Sequence, residues 1–447
     1  MCVINFMTEQ YTFQNLNQLA HSAGHIPFIY DRQNNYYRAM ENSDMGFSNS
    51  SNPTSADAFG RLRVSNPLTL FDSNHRYTDN GLWNTASGTG GSIAFNANQG
   101  LMDLSVTTAS GSSVIRETTK VFAYQAGKSL LSMSTFVMSP TKTNLRQRVG
   151  YFSTENGIYL ELDGTNLSFI KRTIVGGSIS NISISQSSWN GDKLDGSGPS
   201  GLTLDVTKAQ ILWMDFEWLG VGTVRVGFVI NGKFIVCHSF HHANLINSTY
   251  ITTASLPLRY ELTNTNTTAG ASTLKQICST VLSEGGYEVR GSQNIVALPV
   301  EAPRTCTLAG VYYPVVSLRL KSNRLDAISI ISAISAVGMG NNAVFNWKLA
   351  ANGTTSGGSW ISQGSNVEYN IDGSGFSIGS GRFIAGGYFT SNAQGSVPIN
   401  LVGADLFKFQ FERNSLTSTP YEITLLASSK VAADQVYASI DWEDVVK

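Results

Sequence analysis

Residues 211–240, ILWMDFEWLGVGTVRVGFVINGKFIVCHSF, contain the strongest structural signal in the chain. Apolar side chains recur at every second position over 211–218 and again over 224–230, which is the period of a β-strand. The dipeptide Asn231-Gly232 follows, and it favours the positive φ angles that a two-residue hairpin turn needs. This stretch therefore predicts a three-stranded antiparallel meander.

The rest of the chain repeats this pattern of short apolar strands separated by turn residues. Hydrophobic residues make up 42% of the 447 residues, enough for a large core, whereas charged residues make up only 14%. Glycine, with 42 copies, favours tight turns between strands over solvated helices. We therefore predict an all-β protein with an N-terminal extended arm, a concanavalin/lectin-like antiparallel β-sandwich (jelly roll) and a second, smaller C-terminal β-sandwich.

Domain boundaries follow from shifts in composition along the chain. The first segment is rich in Asn and Gln and has little apolar periodicity, so we expect it to become ordered against a partner or another copy of the chain. Two residues, Pro299 and Pro303, stiffen an extended stretch between the two strand-rich regions. The predicted organisation is an arm over 1–56, a lectin-like sandwich over 57–290, a linker over 291–310 and a C-terminal sandwich over 311–447.

The charge balance and the hydropathy pattern disfavour several classes of function. The chain has 30 Lys and Arg against 31 Asp and Glu, so there is no basic excess to neutralise phosphates. The N-terminus lacks the basic and apolar regions of a secretory signal. The longest apolar stretch, 328–339, falls short of the ~20 residues that a membrane helix needs. We expect a protein made in the cytoplasm, with no nucleic-acid partner and no membrane insertion.

Two carboxylates on the predicted meander, Asp215 and Glu217, are the candidates for catalysis. They occupy alternate strand positions, as the acids of jelly-roll glycoside hydrolases do, and a retaining pair needs carboxyl groups ~5–5.5 Å apart. The third acid of that pattern is missing, and a hairpin that turns about Val221 would place Glu217 opposite Arg225. A cross-strand ion pair is the preferred interpretation, and a glycan-degrading enzyme is the alternative.

An oxygen-rich loop at 189–201, WNGDKLDGSGPSG, is the candidate for a metal site. Asn190, Asp192 and Asp195 offer the oxygen ligands that Ca²⁺ prefers, although the EF-hand spacing is absent and a structured turn is the alternative. The histidines of 237–244 are predicted to hydrogen-bond a turn at the end of the meander, with metal binding as the alternative. No other cofactor is predicted, because the four cysteines lie far apart without a zinc-binding spacing.

Aromatic residues give the best indication of a ligand. Most of the seven tryptophans fall in or beside predicted strands and are expected in the core. Trp189 and Trp213 are the two candidates for exposed positions, where an aromatic face could stack on the apolar face of a sugar, and a position in the core is the alternative. They are therefore the candidate glycan-binding residues.

Three stretches of the sequence resemble one family. Residues 57–72, DAFGRLRVSNPLTLFD, resemble a signature of virion structural proteins of tailed bacteriophages, particularly marine phages and cyanophages. The loop at 189–201 followed by DFEWLGVGTVRVGFVINGKF at 215–234 is similar to the same proteins, as is YYPVVSLRLKSNRLDA at 312–327. The resemblance spans most of 57–350 and implies a component of a virus particle.

The DAFGRLRVS motif also has a mechanical interpretation. Phe59, Leu62 and Val64 are predicted to anchor in a groove, while Arg61 and Arg63 point away and pair with acids. We therefore expect this strip to dock the first sandwich to a neighbouring protein or to the arm.

These observations predict a non-enzymatic phage virion structural protein on the particle exterior, in a tail fibre, baseplate or tail appendage. Its predicted partners are further copies of itself, with a trimer favoured, other virion proteins gripped by the N-terminal arm, and host cell-surface glycan. The expected location is the virion, assembled in the host cytoplasm. The alternatives are a capsid decoration protein, a glycan-degrading appendage enzyme that uses Asp215 and Glu217, and an internal particle protein with no ligand.

Overall fold

The structure, a computed structural model, describes residues 28–31, 36–39, 67–391, 399–400 and 406–446. The chain divides into two units, Met1–Val64 and Ser65–Lys447. In the first unit, strands β1 (Phe28–Asp31) and β2 (Tyr36–Ala39) form an antiparallel hairpin. The rest of the predicted arm lies outside the described residues.

The second unit begins with a sandwich of two antiparallel sheets. Its strands are β3 (Leu68–Ser73), β4 (Trp83–Ser87), β5 (Gly91–Asn96), β6 (Leu101–Val106), β7 (Ser113–Thr118), β8 (Ser129–Val137), β9 (Leu145–Phe152), β10 (Gly157–Asp163), β11 (Asn166–Thr173), β12 (Ser180–Ser185), β13 (Gln210–Phe216), β14 (Val224–Ile230), β15 (Lys233–Phe240), β16 (Leu258–Asn264) and β17 (Ser272–Glu284). A short 3-10 helix, Gln186–Ser188, follows β12.

The two sheets of this first sandwich pack their apolar faces together. One sheet has seven strands in the spatial order β12-β11-β10-β9-β16-β7-β4, and the other has eight, in the order β15-β14-β13-β8-β17-β6-β5 with β3 also paired to β17. Phe136, Leu160, Phe169, Met214 and Phe228 are among the fully or almost fully buried side chains of the shared core. Burying such residues is the main stabilising contribution, about 1.5–3 kcal/mol for each large apolar side chain.

The meander predicted over 211–240 is confirmed as β13, β14 and β15. Each strand pairs antiparallel with the next, and Leu212 lies opposite Phe228 in the register. Asn231 and Gly232 have φ angles of +52° and +74°, as a tight hairpin of this kind requires. A β-bulge between Val226 and Gly227 shifts the register of β15, which a strict alternation of side chains does not predict.

The second sandwich follows directly in the same unit. Its strands are β18 (Ser292–Ala297), β19 (Arg304–Cys306), β20 (Tyr313–Leu320), β21 (Ile328–Met339), β22 (Val344–Ser356), β23 (Ile361–Gln363), β24 (Val367–Asn370), β25 (Gly375–Ser377), β26 (Arg382–Thr390), β27 (Ile399–Asn400), β28 (Arg413–Asn414), β29 (Thr419–Pro420), β30 (Glu422–Ser429) and β31 (Asp434–Val446). Leu406–Phe409 forms a 3-10 helix.

The main sheets of this sandwich have five and seven strands. The five-stranded sheet has the order β18-β31-β21-β27 with β19 also paired to β31, and the seven-stranded sheet has the order β23-β24-β20-β30-β22-β25 with β26 also paired to β22. Residues 291–310, predicted to form a linker, thus contribute two strands, β18 and β19, to this sandwich. The prolines that suggested a linker lie between these strands, where no strand hydrogen bond is interrupted.

The two sandwiches are packed against each other within their unit. Val121 and Ala123, which follow β7, form a buried cluster with Ile328 and Ile330 of β21. The Gln410 side-chain amide donates a hydrogen bond to the backbone oxygen of Val121 at 2.8 Å. The all-β prediction is confirmed by this architecture. Within the described ranges, no helix has the length and apolar character needed to cross a membrane.

Candidate functional site

Asp215 and Arg225 form a buried ion pair on the meander. The register of β13 and β14 places them directly opposite each other, and the Arg225 guanidinium donates a hydrogen bond to the Asp215 carboxylate. The prediction that Glu217 would face Arg225 is wrong. The turn is centred on Gly220 rather than on Val221. Arg225 therefore lies opposite Asp215, two residues before Glu217 on the chain.

Glu217 forms hydrogen bonds that stabilise the turn between β13 and β14. Its carboxylate accepts a hydrogen bond from the backbone N–H of Thr223 at 3.1 Å, and its backbone oxygen accepts one from the Tyr250 hydroxyl at 3.3 Å. Asp215 is inaccessible to solvent and held by a guanidinium, so it presents no carboxylate to a sugar. The geometry therefore favours the ion-pair interpretation over a catalytic pair.

Trp189 and Trp213 are both buried, so the prediction that they form exposed stacking platforms is wrong. Trp213 is fully buried and packs edge-on against Phe234 with a centroid distance of 5.4 Å. Trp189 is 2% exposed and lies against Phe169 at 4.6 Å. Trp189 directly follows the 3-10 helix Gln186–Ser188, and its side chain points into the core. The indole N–H of Trp189 donates to the backbone oxygen of Ile184 at 3.2 Å.

Two of the three calcium candidates, Asp192 and Asp195, accept hydrogen bonds from the backbone of their own loop. The Asp192 carboxylate accepts bonds from the backbone N–H groups of Leu194 at 2.9 Å and Ser200 at 2.8 Å. Asp195 accepts from the backbone N–H and hydroxyl of Ser197, which lowers the pKa of its carboxyl.

Asn190 makes two hydrogen bonds with the backbone of Ser239 and so joins the loop to β15. The side-chain oxygens of the three residues accept hydrogen bonds from different groups, those of Asp192 and Asp195 within the loop and that of Asn190 from β15. Across the described part of the chain, no group of three or more His, Cys, Asp or Glu side chains is arranged to hold a metal ion.

The histidines at the end of the meander hydrogen-bond turns, as predicted. His242 is 1% exposed, and its ring nitrogens contact the backbone oxygen of Gly222 at 2.6 Å and the Lys171 ammonium at 2.8 Å. Its ring also stacks on Tyr250 with a centroid distance of 4.0 Å. Burial, reinforced by the charge of Lys171, lowers the pKa of His242 to about 4.

The Lys171 amine shares this environment. Burial lowers the pKa of Lys171, and the ammonium lies 5.8 Å and 5.9 Å from the ring centroids of Phe240 and Tyr250. His238 also accepts a backbone hydrogen bond, from Asn190 at 3.2 Å. This cluster therefore connects β11, the turn before β14 and the loop after β15.

A chain of buried charges crosses the outer face of the seven-stranded sheet of the first sandwich and reaches the second sandwich. This chain of charges was not predicted from the sequence. Arg148 donates to Glu261 at 3.0 Å, and Arg259 donates to Glu261 at 2.6 Å and to Glu117 at 2.9 Å. Glu117 in turn accepts from Arg413 of β28 at 3.0 Å. Burial raises the pKa of Glu261, but the charges of Arg259 and Arg148 outweigh that effect and hold the pKa below its ordinary value.

Backbone hydrogen bonds reinforce this contact between the sandwiches. Arg413 donates from its guanidinium to the backbone oxygen of Thr118 at 2.6 Å and from its backbone N–H to Thr119 at 2.9 Å. The Asn84 amide donates to the backbone oxygen of Arg413 at 2.8 Å and accepts from the Tyr421 hydroxyl at 2.6 Å. The sequence gives one indication of this contact between the sandwiches, which is the presence of charged residues inside apolar strands.

The predicted docking residues, Phe59, Arg61, Leu62, Arg63 and Val64, lie outside the described residues. Their role stays a prediction.

No protein-family model matches the chain, and no curated protein matches it either. Among solved structures, it is similar to a protein of unknown function from Shewanella oneidensis MR-1, with 10% identity, a TM-score of 0.33 and coverage of 56% of this chain and 98% of that one. It is also similar to the VIP36 exoplasmic/lumenal domain solved with Ca²⁺ and Man3GlcNAc bound, with 13% identity, a TM-score of 0.31 and coverage of 50% and 92%.

A further similarity is to the receptor-binding domain of botulinum neurotoxin D, with 11% identity, a TM-score of 0.31 and coverage of 49% and 50%. The chain thus spans about half the length of the botulinum neurotoxin binding domains that it matches. The fold assignment rests on the strand pairing described above.

Proposed function

We propose that this chain is a non-enzymatic structural component on the exterior of a tailed-phage particle, in a tail fibre, baseplate or tail appendage. The observation that carries the proposal is the buried contact between Glu117 and Arg413, which are each 1% exposed and lie 3.0 Å apart. Breaking such a pair leaves a charge buried without its partner, so the contact resists separation of the two sandwiches. A module that transmits load between neighbouring proteins benefits from this rigidity.

The sequence resemblance at 57–72, 189–201, 215–234 and 312–327 supports the assignment to a virus particle. The lectin-like architecture of the first sandwich supports a role in binding host-surface glycan, and self-association would supply several copies for that contact. Capsid decoration is the alternative position in the particle, since the same rigid module would serve there. Degradation of glycan is less well supported, because Asp215 is committed to Arg225.

The proposal is tested by quantitative mass spectrometry of phage particles purified through two density gradients. We expect the chain at a fixed copy number relative to the major capsid protein in every preparation. Its loss during the second gradient, with the other particle proteins retained, would overturn the structural role. In parallel, purified chain should leave host polysaccharide intact, and release of reducing ends by the wild type but not by Glu217→Gln would establish the enzymatic alternative.

A further inference from the structure

The outer face of the second sandwich carries exposed aromatic rings around a lysine. Along β22, Phe345, Trp347 and Leu349 are buried in the core, so the alternate residues Asn346 and Lys348 lie on the outer face. On the neighbouring strand β26, Tyr388 lies opposite Asn346 and is 77% exposed. A tyrosine so exposed on a sheet face contributes little to folding and is available to a ligand.

A β-bulge brings a second ring to the same face. The register between β22 and β26 shifts between Leu349 and Ala350, so Ile384 and Ala385 both pack against the core. Phe383 then lies opposite Ala350 and is 48% exposed. Tyr388 and Phe383 are therefore on one face, separated along the strand by at most about 16 Å at the usual rise per residue. Gly386 lies between them and has no side chain to fill the gap.

Lys348 sits beside this gap, between two aromatic rings. Its ammonium lies 4.4 Å from the ring centroid of Tyr312 and 4.6 Å from that of Phe383. Among the residues that the structure describes, no carboxylate lies within ion-pair distance of this ammonium. Aromatic rings hold a cation in position without neutralising its charge, so Lys348 is prepared to receive an anion.

Hydrogen bonds of Asn346 connect the strands beneath the exposed rings. The Tyr312 hydroxyl donates to the side-chain oxygen of Asn346, and the Asn346 amide donates to the backbone oxygen of Gly387 at 3.1 Å. These bonds tie β26 to β22 and to the segment before β20, and so fix the spacing of the strands that carry Tyr388, Phe383 and Lys348. A rigid surface of this kind lowers the conformational cost of binding.

We propose that Tyr388, Phe383 and Lys348 form a binding site for a carboxylate-bearing oligosaccharide. The two exposed rings stack on the apolar faces of separate sugar rings, and the ammonium binds a carboxylate of the sugar between them. This inference rests on the proposed role at a host surface for its biological setting, and it adds a glycan site on the second sandwich to the role proposed for the first.

The test uses the purified full-length chain in affinity electrophoresis through gels that contain polygalacturonate, alginate or hyaluronate. Fully methyl-esterified polygalacturonate and dextran are the uncharged counterparts. We expect at least one carboxylated polymer to retard the wild type, with an affinity at least tenfold higher than for its uncharged counterpart. Tyr388→Ala and Phe383→Ala should each weaken this binding at least tenfold, whereas Lys348→Met should abolish the preference for the carboxylated polymer.

Tyr77→Ala is the matched control, because Tyr77 is an equally exposed tyrosine, 82% accessible, on the first sandwich. This variant should bind as the wild type does. Lack of retardation by all three carboxylated polymers would overturn the inference, as would full binding by the Tyr388→Ala/Phe383→Ala double variant. A change of oligomeric state in that double variant, measured by light scattering, would instead identify a second copy of the chain as the occupant. None of these outcomes depends on whether the chain is present in particles.

Discussion

The Glu117 carboxylate of the first sandwich and the Arg413 guanidinium of the second lie 3.0 Å apart, and each side chain is only 1% exposed. Arg259 binds the other oxygen of Glu117 at 2.9 Å, so one carboxylate is shared between two guanidinium groups. A charge cluster this deep is tolerated only because each member has its partners. The contact couples the stability of one sandwich to that of the other.

Replacing Glu117 with Gln should destabilise the protein by roughly 3 kcal/mol, because Arg259 and Arg413 would then lose the buried carboxylate that they share and keep only Glu261 and Asp326, respectively, as acidic partners. Urea denaturation followed by tryptophan fluorescence measures this change. Glu155→Gln is the control, since Glu155 is exposed and its replacement should alter stability by less than about 0.5 kcal/mol. Equal stabilities for the two variants would contradict a structural role for the Glu117–Arg413 contact.

Stability should fall as the pH is lowered from 7 to 4.5, partly because of His242. Its pKa in the folded protein is about 4, whereas the unfolded chain binds the proton near its ordinary value of 6.5. Protons therefore bind preferentially to the unfolded chain between these values, which costs roughly 2–3 kcal/mol by pH 4.5. Denaturation of His242→Gln at both pH values should show a smaller loss.

Asp215→Asn should reduce stability by about 3 kcal/mol, since it leaves the Arg225 guanidinium buried beside a neutral amide. Glu217→Gln should cost less than about 1 kcal/mol, because an amide oxygen can still accept the bond from the Thr223 N–H. Thermal unfolding of the two variants compares these positions directly. A larger loss for Glu217→Gln than for Asp215→Asn would show that the assignment of the ion pair is wrong.

Arg61→Ala/Arg63→Ala should lower incorporation of the chain into phage particles at least tenfold if the DAFGRLRVS motif docks it to a neighbour. Immunoblots of purified particles against total lysate measure the incorporated fraction. Arg76→Ala is the control, because Arg76 is an exposed arginine nearby in the sequence. Unaltered incorporation of the double variant would rule out the docking role.

Sequence patterns predicted the strands well where alternation and turn chemistry agreed. The meander ends in Asn231-Gly232, whose positive φ angles fix both the turn and the pairing that follows. The preceding turn was displaced by one residue, from Val221 to Gly220, because two glycines flank the position and the sequence does not choose between them. That single shift exchanged Glu217 for Asp215 as the partner of Arg225.

The candidate site was much harder to predict than the fold. Alternation assigns Trp213 to a strand face but does not reveal whether that face is covered, and the ring proved to be fully buried. Conversely, Phe383 reaches the outer face only because a β-bulge shifts the register of β26, and a bulge leaves little trace in the local sequence. The surface around Lys348 combines residues of β22, of β26 and of the segment before β20. These segments are far apart in sequence, so only tertiary packing brings the residues together.

We have proposed that this chain is a rigid exterior building block of a phage particle. A cryo-electron microscopy map of intact particles, at a resolution that separates β-sheets, tests it most directly. We expect density for both sandwiches, docked as one body and repeated around the symmetry axis of the tail or baseplate. Absence of this body from every region of the exterior, with the chain found only in the infected-cell lysate, would contradict it.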